Sequence, residues 1–345
     1  MPPGTMSDRL AVLPLHVDSY ELERLEQPVT RGFTRVTTVV HLRGRGLEGL
    51  GEDVTWYPEH HDREQQAGAV LPLAGSWTLE SFSDALDMPD PHRRWAYESA
   101  ALDLALRQAQ TTLAELVGRE PRPVTFVVSP GLGNPPTSRV VLRWLELDPS
   151  HRFKLDPALD WTDQLIEVLA ETGAIVTADY KAYYRTENDP PPDPELYRRV
   201  AEGFPEAYLE DPALTDETEA VLEPHRGRVT WDAPIHSVAD VEALAWPPRV
   251  LNSKPSRFGR LSKVLAFYDF CAATEIFLYG GGMFELGPGR GQIQYLASLF
   301  HPDAPNDVAP RAYNDPEPRP GLPSSPLEPA PDDAGFRWLE ATASV

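Results

Sequence analysis

The sequence predicts an α/β protein in which a closed βα barrel follows a smaller α+β unit. Two observations support this fold class. Short apolar runs alternate with amphipathic helical stretches from about residue 122 to residue 313, which is the pattern of repeated βα units. The preceding third of the chain instead has a strand-like stretch followed by apolar residues at helical spacing. We therefore place the two units at residues 1–121 and 122–313.

The first unit is expected to begin with strands and end with helix. Between residues 12 and 51, β-branched residues are frequent and glycines supply turns, so an antiparallel meander is the natural interpretation. Between residues 76 and 118, apolar residues recur at helical spacing, and Gly118 ends this run. Strands and helix together predict a small α+β unit.

The second unit contains eight candidate strands. They are residues 124–129, 152–155, 175–180, 207–210, 229–232, 250–253, 275–279 and 307–309. Eight segments in this space favour a closed barrel over an open doubly wound sheet, which usually carries a glycine-rich phosphate turn after its first strand. Residues 128–133 resemble that turn only weakly. The proline-rich stretch from residue 302 to residue 331 is expected to be an extended connector.

The composition excludes several classes of function. A formal net charge of -22 makes nucleic acid and anionic lipid poor partners, because each approach would begin with repulsion. The single cysteine, Cys271, excludes an internal disulfide framework and a cysteine-rich zinc site. No apolar run approaches the roughly 18 residues that a membrane span needs, and the N-terminus lacks the order of a signal peptide. We expect a cytoplasmic protein without a membrane partner.

Charged residues end five successive candidate strands, in the order lysine, acid, acid, acid, lysine. They are Lys154, Asp179, Glu210, Asp232 and Lys254. In a βα barrel the chemistry lies at the C-terminal ends of the strands. Three carboxylates converging there would repel one another unless a cation neutralised them, and hard oxygen ligands suit Mg²⁺ or Mn²⁺. The sequence therefore predicts a divalent metal site flanked by two amines.

This order resembles the enolase superfamily, in particular its muconate lactonizing enzyme and o-succinylbenzoate synthase branch. Residues 279–285, Tyr-Gly-Gly-Gly-Met-Phe-Glu, resemble that family's glycine-rich Met-Leu-Glu segment, and residues 49–52 and 101–105 match landmarks of its capping domain. The resemblance implies a modified (β/α)7β TIM-type barrel with an N-terminal α+β capping domain. It also implies that the C-terminal tail, residues 314–345, packs back on the capping domain.

The resemblance also implies a chemistry. Asp179, Glu210 and Asp232 are expected to bind Mg²⁺, while Lys154 and Lys254 act as acid and base. The expected partial reaction removes the proton next to a small-molecule carboxylate through a metal-stabilised enediolate. A lysine beside a metal is expected to have a lowered pKa, which lets it act as a base. Cycloisomerisation, dehydration of the o-succinylbenzoate synthase kind, and racemisation or epimerisation remain open as outcomes, and so does a homo-oligomer.

Two departures from the family pattern leave alternatives open. Relatives usually carry Lys-x-Lys on the second strand, whereas this chain has Arg152-Phe153-Lys154-Leu155-Asp156. Either Asp156 replaces the second lysine, or Arg152 and Lys154 form the pair. The second departure is Lys181, two residues after Asp179. Since side chains two apart on a strand share a face, Lys181 could point into the barrel or could pair with a neighbouring carboxylate.

Further residues are candidates for contact with the substrate. They are Arg152, Lys181, Ser256, Gly282, Met283 and Glu285. Two loops, residues 27–33 and 53–66, are candidate lids, and the second carries Trp56, Tyr57, His60 and His61. For the paired histidines, a place in an exposed loop is the alternative to substrate contact, and a structural role is the expectation for His236. Ser256 and Arg257 either meet a substrate anion or cap the next helix.

Two other functions remain as alternatives. One is a barrel aldolase in which Lys254 forms a Schiff base, for which three convergent acids are hard to explain. The other is a non-catalytic barrel that only binds ligands, which the retained acids and lysines argue against. Among specific reactions, o-succinylbenzoate synthesis is the first expectation, and epimerisation of dipeptides or N-acylamino acids is the second.

Overall fold

A barrel of parallel strands follows an antiparallel meander in the computed structural model, which describes residues 5–29, 33–185 and 190–339. The predicted fold class is confirmed: the protein is an α/β barrel with an N-terminal α+β unit. None of the helices within these ranges has the length and apolar character needed to span a bilayer.

The strands of the first unit form two small antiparallel sheets. The order in one sheet is β2-β3-β4, and in the other β1 pairs with β5. These strands are β1 Pro14–Val17, β2 Ser19–Pro28, β3 Thr34–Gly44, β4 Leu47–Asp53 and β5 Gly75–Thr78. At Gly51 of β4, a Cβ atom would lie only 1.9 Å from the carbonyl oxygen of Ala96. A glycine is therefore required for the meander to pack directly on the helix behind it.

The helices of the first unit are α1 Met6–Ala11, α2 Pro58–Ala67, α3 Leu79–Ala85, α4 Pro91–Gln108 and α5 Leu113–Val117. The helical run predicted to end at Gly118 is interrupted, so that part of the prediction is wrong. The chain leaves α4 after Gln108, and Thr112 begins a new helix by accepting a hydrogen bond from the Glu115 amide. Gly118 does end α5, in the left-handed conformation with φ 70°.

Six barrel strands are regular. They are β6 Phe153–Leu155, β7 Ile175–Asp179, β8 Tyr208–Glu210, β9 Val229–Thr230, β10 Val250–Ser253 and β11 Phe277–Gly280. β6 to β9 form one parallel sheet and β10 pairs with β11 in another, while the Asn252 amide donates to the Trp231 carbonyl across the gap at 3.1 Å. The C-terminal ends of these strands therefore meet at one mouth.

The predicted first and eighth strands are reduced to isolated bridges that close the barrel. Phe126 bridges to Asn306, and Val128 bridges to Phe153 of β6. The Asn306 side chain replaces missing ladder bonds, since its Oδ1 accepts from the Gly280 amide at 2.6 Å and its Nδ2 donates to the Thr125 carbonyl at 2.8 Å. One buried amide thus ties the last strand to the first.

Helices surround the barrel. They are α6 Arg139–Leu147, α7 Asp163–Glu171, α8 Pro194–Gly203, α9 Asp216–Leu222, α10 Val238–Glu242, α11 Pro255–Phe258, α12 Leu261–Ala273 and α13 Pro288–Phe300. Their apolar faces point inward; Leu165, Ile166 and Leu169 of α7 are examples. Apolar residues of both units join a single core.

The C-terminal segment is mostly irregular, as the proline content indicates. Between residues 302 and 331 it forms one short 3₁₀ turn, Arg311–Asn314. It contacts both units, because Leu327 bridges to Val124 of the barrel and the Phe336 amide donates to Asp103 of α4 at 2.8 Å.

Candidate active site

Three carboxylates lie at the ends of adjacent barrel strands. Asp179 ends β7 and Glu210 ends β8, and these two residues face each other in the ladder. Asp232 follows β9 by two residues. All three are at most 1% exposed. The barrel strands therefore place these three acids in the interior, away from water.

Two lysines contact these acids. The Lys154 Nζ atom on β6 lies 2.5 Å from Glu210 Oε1 and 3.0 Å from Asp179 Oδ2. The Lys254 Nζ atom, just after β10, lies 2.5 Å from Asp232 Oδ2. The structure therefore brings together all five charged residues that the sequence placed at strand ends.

Burial and charge shift the pKa values of this cluster in different directions. Burial raises the pKa of Glu210 to about 8, with the Asp179 carboxylate adding to it and the Lys154 ammonium opposing it. Burial also disfavours ionised Asp179, but Lys154 and Lys181 outweigh this and lower its pKa. For Lys154, burial lowers the pKa, yet the two neighbouring carboxylates raise it well above its ordinary value.

Lys254 behaves in the same way, since Asp232 outweighs burial and raises its pKa. This direction is opposite to the lowered pKa expected of a lysine beside a metal. The physical reason is that, in the structure, each ammonium faces the carboxylates themselves. A cation bound to those carboxylates would weaken the attraction and lower the lysine pKa.

The acidic cluster fits a hard divalent cation. Carboxylate oxygens of Asp179, Glu210 and Asp211 lie within 4.8 Å of one another, and all three residues are buried. Oxygen-only donors of this kind suit Mg²⁺ and Mn²⁺. The group contains Asp211 and not the third predicted ligand, Asp232, but its oxygen donors are of the kind that the predicted metal requires.

The sequence prediction did not single out Asp211. Its carboxylate oxygens accept hydrogen bonds from the amides of Asp232 and Ala233, at 2.8 and 3.0 Å. Burial, together with the Asp232 charge, raises the pKa of Asp211 to about 7. Because both oxygens are engaged by backbone, we read Asp211 as the group that positions Asp232. Its only sequence signal is its place directly after Glu210.

Two further cations, Arg257 and Lys181, contact the buried acids. The Arg257 Nε atom lies 3.0 Å from Asp232 Oδ1, and its guanidinium also contacts the Tyr184 hydroxyl. Burial lowers the pKa of Arg257 to about 10. The Lys181 ammonium pairs with Asp179, and its half-exposed side chain also borders the cleft. Lys181 therefore both pairs with a neighbouring carboxylate and borders the cleft, as the two interpretations of the sequence proposed.

A cavity of about 610 Å³ lies over the cluster, with Lys154 and Lys254 in its wall. Aromatic side chains form much of the remaining wall: Phe33 packs 5.2 Å from Trp56 and 5.7 Å from Phe284, measured between ring centroids. Residues 30–32 of the first predicted lid lie outside the described residues. A larger cavity of about 930 Å³ beside α6 contains none of the five charged residues, so we place the chemistry in the smaller one.

The other predicted substrate contacts divide into two groups. Gly282 and Met283 line the cleft. Ser256 and Glu285 do not; they border a small space of about 10 Å³ behind Lys254. Glu285 accepts a hydrogen bond from the Met283 amide at 2.7 Å and pairs with Arg290 at 3.0 Å. Its contacts are those of a residue that shapes the loop after β11.

Arg152 lies apart from the cluster, which corrects the expectation that it contacts the substrate. It is exposed, and its guanidinium donates to the carbonyls of Ser150 and His151 at 3.0 and 2.8 Å. The reason is that Arg152 precedes β6, and its guanidinium turns back onto the loop before that strand. Arg152 and Lys154 therefore do not act as a pair on one face.

The candidate histidines have structural surroundings. His61 is fully buried, between the Thr38 hydroxyl at 3.0 Å and the Thr55 carbonyl at 2.8 Å. His236 is exposed and bonds to the Pro234 carbonyl within its own turn at 3.1 Å. Trp56 and Tyr57 of the same predicted lid do line the cleft.

Comparisons with known proteins agree with this geometry. Residues 120–315 match the family model described as the C-terminal domain of DUF8230, a domain of unknown function, and residues 8–116 match its N-terminal domain. The N-succinylamino acid racemase of Thermus thermophilus is 27% identical over 327 residues, which cover 86% of each chain. The chain is a DUF8230-family member of the enolase superfamily. It is an enzyme of either the isomerase type or the lyase type.

Two further similarities fit this assignment. An o-succinylbenzoate synthase of Listeria innocua is 27% identical over 222 residues, covering 62% of this enzyme and 58% of the synthase. The crystal structure of an enolase superfamily member from Listeria innocua superposes with a TM-score of 0.66 at 22% identity, covering 86% of both chains. The structural similarity shows that the enzyme shares the superfamily's capped-barrel fold.

Proposed function

We propose that the enzyme uses Mg²⁺, with Mn²⁺ as a substitute, to remove the proton next to the carboxylate of a small molecule. Asp179, Glu210 and Asp232 would hold the cation, and Lys154 and Lys254 would accept and return the proton. One observation carries the proposal: two buried lysines from non-adjacent strands contact the same cluster of buried acids.

The cation, when bound, would neutralise the charge that moves onto the substrate carboxylate as the proton leaves. The remaining steps belong to the side chains. β6 and β10 are four strands apart in an eight-stranded barrel, so Lys154 and Lys254 approach the cleft from opposite sides. A carbon placed between them can lose its proton to one Nζ and regain one from the other. Two bases on opposite faces favour racemisation.

The aromatic wall supports the same chemistry by keeping water away. Trp56 lies over Arg35 at 5.3 Å and joins Phe33 and Phe284 above the lysines. A less polar cleft strengthens the attraction between fixed charges and a substrate anion. We propose that residues 1–121, together with the tail from residue 314, act as the capping domain, which contributes Phe33 and Trp56 to this wall. The barrel of residues 122–313 would supply Phe284 and the charged groups.

N-succinylamino acids are the substrates to test first. The similarity that runs along most of the chain is to an N-succinylamino acid racemase. The shorter similarity to an o-succinylbenzoate synthase supports dehydration to o-succinylbenzoate as the second candidate reaction. Dehydration needs only one base, whereas racemisation uses both lysines, so the presence of two buried amines favours racemisation.

Exchange of the α-proton in D₂O tests the proposal. Wild-type enzyme with Mg²⁺ is expected to exchange this proton in N-succinylamino acids, as followed by ¹H NMR. Chelation of the cation, or the substitution Asp179→Asn, should abolish exchange, while the control Cys271→Ser should leave it unchanged. Exchange that survives chelation would overturn the proposal. Inactivation by borohydride in the presence of substrate would instead favour a Schiff base on Lys254.

A further inference from the structure

Tyr279 makes a contact that the proposed reaction does not use directly. It lies on β11, is fully buried inside the barrel, and its hydroxyl donates to Glu210 Oε2 at 2.6 Å. Glu210 lies on β8, three strands away, so this hydrogen bond crosses the barrel interior. The tyrosine ring is supported by Tyr208, two residues before Glu210, with the ring centroids 5.3 Å apart.

The two oxygens of Glu210 have different partners. Oε2 accepts a hydrogen bond from the Tyr279 hydroxyl. Oε1 accepts hydrogen bonds from Lys154 Nζ at 2.5 Å and from the Asn252 side-chain Nδ2 at 3.4 Å, and Lys154 lines the cleft. The lysine ammonium borders the cleft, where a cation can take its place beside Oε1. The Tyr279 side chain is fully buried and packed against Tyr208, so its hydroxyl stays on Oε2.

Resting on the proposed function, we infer that Tyr279 is a positioning residue for the metal ligand Glu210. By occupying Oε2, it leaves Oε1 as the single oxygen that Glu210 presents to a divalent cation. It also fixes the carboxylate rotamer before the cation arrives, so less freedom is lost on binding. Outer partners of this kind typically change metal affinity by about 10- to 100-fold when removed.

Loss of the hydroxyl would also leave Oε2 buried without its hydrogen-bond donor. The freed rotamer and the unpaired oxygen would both weaken cation binding.

Calorimetric titration of Mn²⁺ into Tyr279→Phe tests the inference without any activity assay. We expect a dissociation constant about 10- to 100-fold weaker than that of the wild-type enzyme. The matched control is Tyr268→Phe, which also removes a buried hydroxyl hydrogen bond, to Ser253 at 2.8 Å, but touches none of the three acids. This control should bind Mn²⁺ like the wild type. Tyr279→Met, which fills the interior without a donor, replaces the phenylalanine variant if that protein does not fold.

The outcomes separate the two proposals. If wild-type enzyme and Tyr279→Phe bind Mn²⁺ equally well while Glu210→Gln binds none, the role of Tyr279 is overturned and the proposed metal site stands. If both tyrosine variants weaken binding alike, general loosening of the barrel explains the effect and the inference is again overturned. If the wild-type enzyme binds no divalent cation, the proposed function fails together with it.

Discussion

Glu210 is fully buried beside other acids, and its proton should therefore compete with the cation. Burial and the neighbouring Asp179 raise the pKa of Glu210 to about 8. Below that pH the carboxyl holds a proton that a cation has to displace. The affinity for the cation should therefore depend on pH through this one residue.

The expected result is an affinity for Mg²⁺ or Mn²⁺ that rises by up to about tenfold per pH unit between pH 6 and pH 8 and then levels off. Calorimetry in two buffers with different ionisation enthalpies should also show release of about one proton per cation at pH 7. An affinity that does not change across this range would mean that Glu210 is already ionised in the free enzyme.

Single residues also show how far sequence reasoning reaches. Lys154, Asp179, Glu210, Asp232 and Lys254 were predicted because a charge at the end of an apolar strand is conspicuous, and the structure gathers all of them. The expectation for Arg152 is wrong, because this residue precedes β6 and its guanidinium bonds to the loop before the strand. Asp211 and Tyr279 were missed, since no local pattern tells which side chains meet across a barrel.

At the scale of elements, Arg35 connects the loop after β4 with the loop after β11. It lies on β3, is 1% exposed, and donates to the carbonyls of Val54, Thr55 and Met283 at 2.6, 2.9 and 3.2 Å. Its guanidinium also lies under the Trp56 ring. One buried cation thus holds both sides of the aromatic wall in place.

Arg35→Met should therefore raise KM for the carboxylate substrate by at least about tenfold and lower kcat less. The reason is that the lid is released while the lysines are untouched. The matched control is Arg228→Met, which removes similar guanidinium bonds to the carbonyls of Phe204 and Ala207 on the far side of the barrel. Both variants should lose about 2 kcal/mol or more of unfolding free energy in urea. Only Arg35→Met should change KM. Equal changes in KM for the two variants would contradict the proposed role of Arg35 in holding the two loops together.

Elements were easier to predict by type than by boundary. The six regular barrel strands were found within one or two residues, because buried parallel strands are short apolar runs. The first and eighth strands appear only as bridges, since Asn306 takes over hydrogen bonds that a ladder would make. The helix break between Gln108 and Leu113 depends on a capping threonine, whose effect was hidden by continuous apolar spacing.

At the scale of the whole molecule, the C-terminal segment joins the two units. Asp103 of α4 accepts hydrogen bonds from the Leu50 amide at 2.9 Å and from Arg337 Nε at 2.7 Å. Phe336 is fully buried and packs near Trp95 and Tyr295. The chain that follows the predicted extended connector therefore adds a buried side chain to the core.

Phe336→Ala should destabilise the protein by about 3–5 kcal/mol, because it removes a fully buried ring and leaves a cavity. Leu339→Ala, three residues further on, is the control; that side chain is 51% exposed and should cost little. Urea unfolding followed by tryptophan fluorescence measures both. A similar small loss for the two variants would show that the segment only covers the surface.

We propose that Lys154 and Lys254 act as two bases on opposite faces of one metal-bound substrate. Exchange of the α-proton in D₂O tests this, measured separately for each enantiomer of an N-succinylamino acid with Lys154→Arg and Lys254→Arg. Arginine keeps the positive charge but does not release its proton. Each variant should lose exchange for one enantiomer by at least about 100-fold and keep it for the other. Equal loss for both enantiomers in each variant would contradict the two-base account.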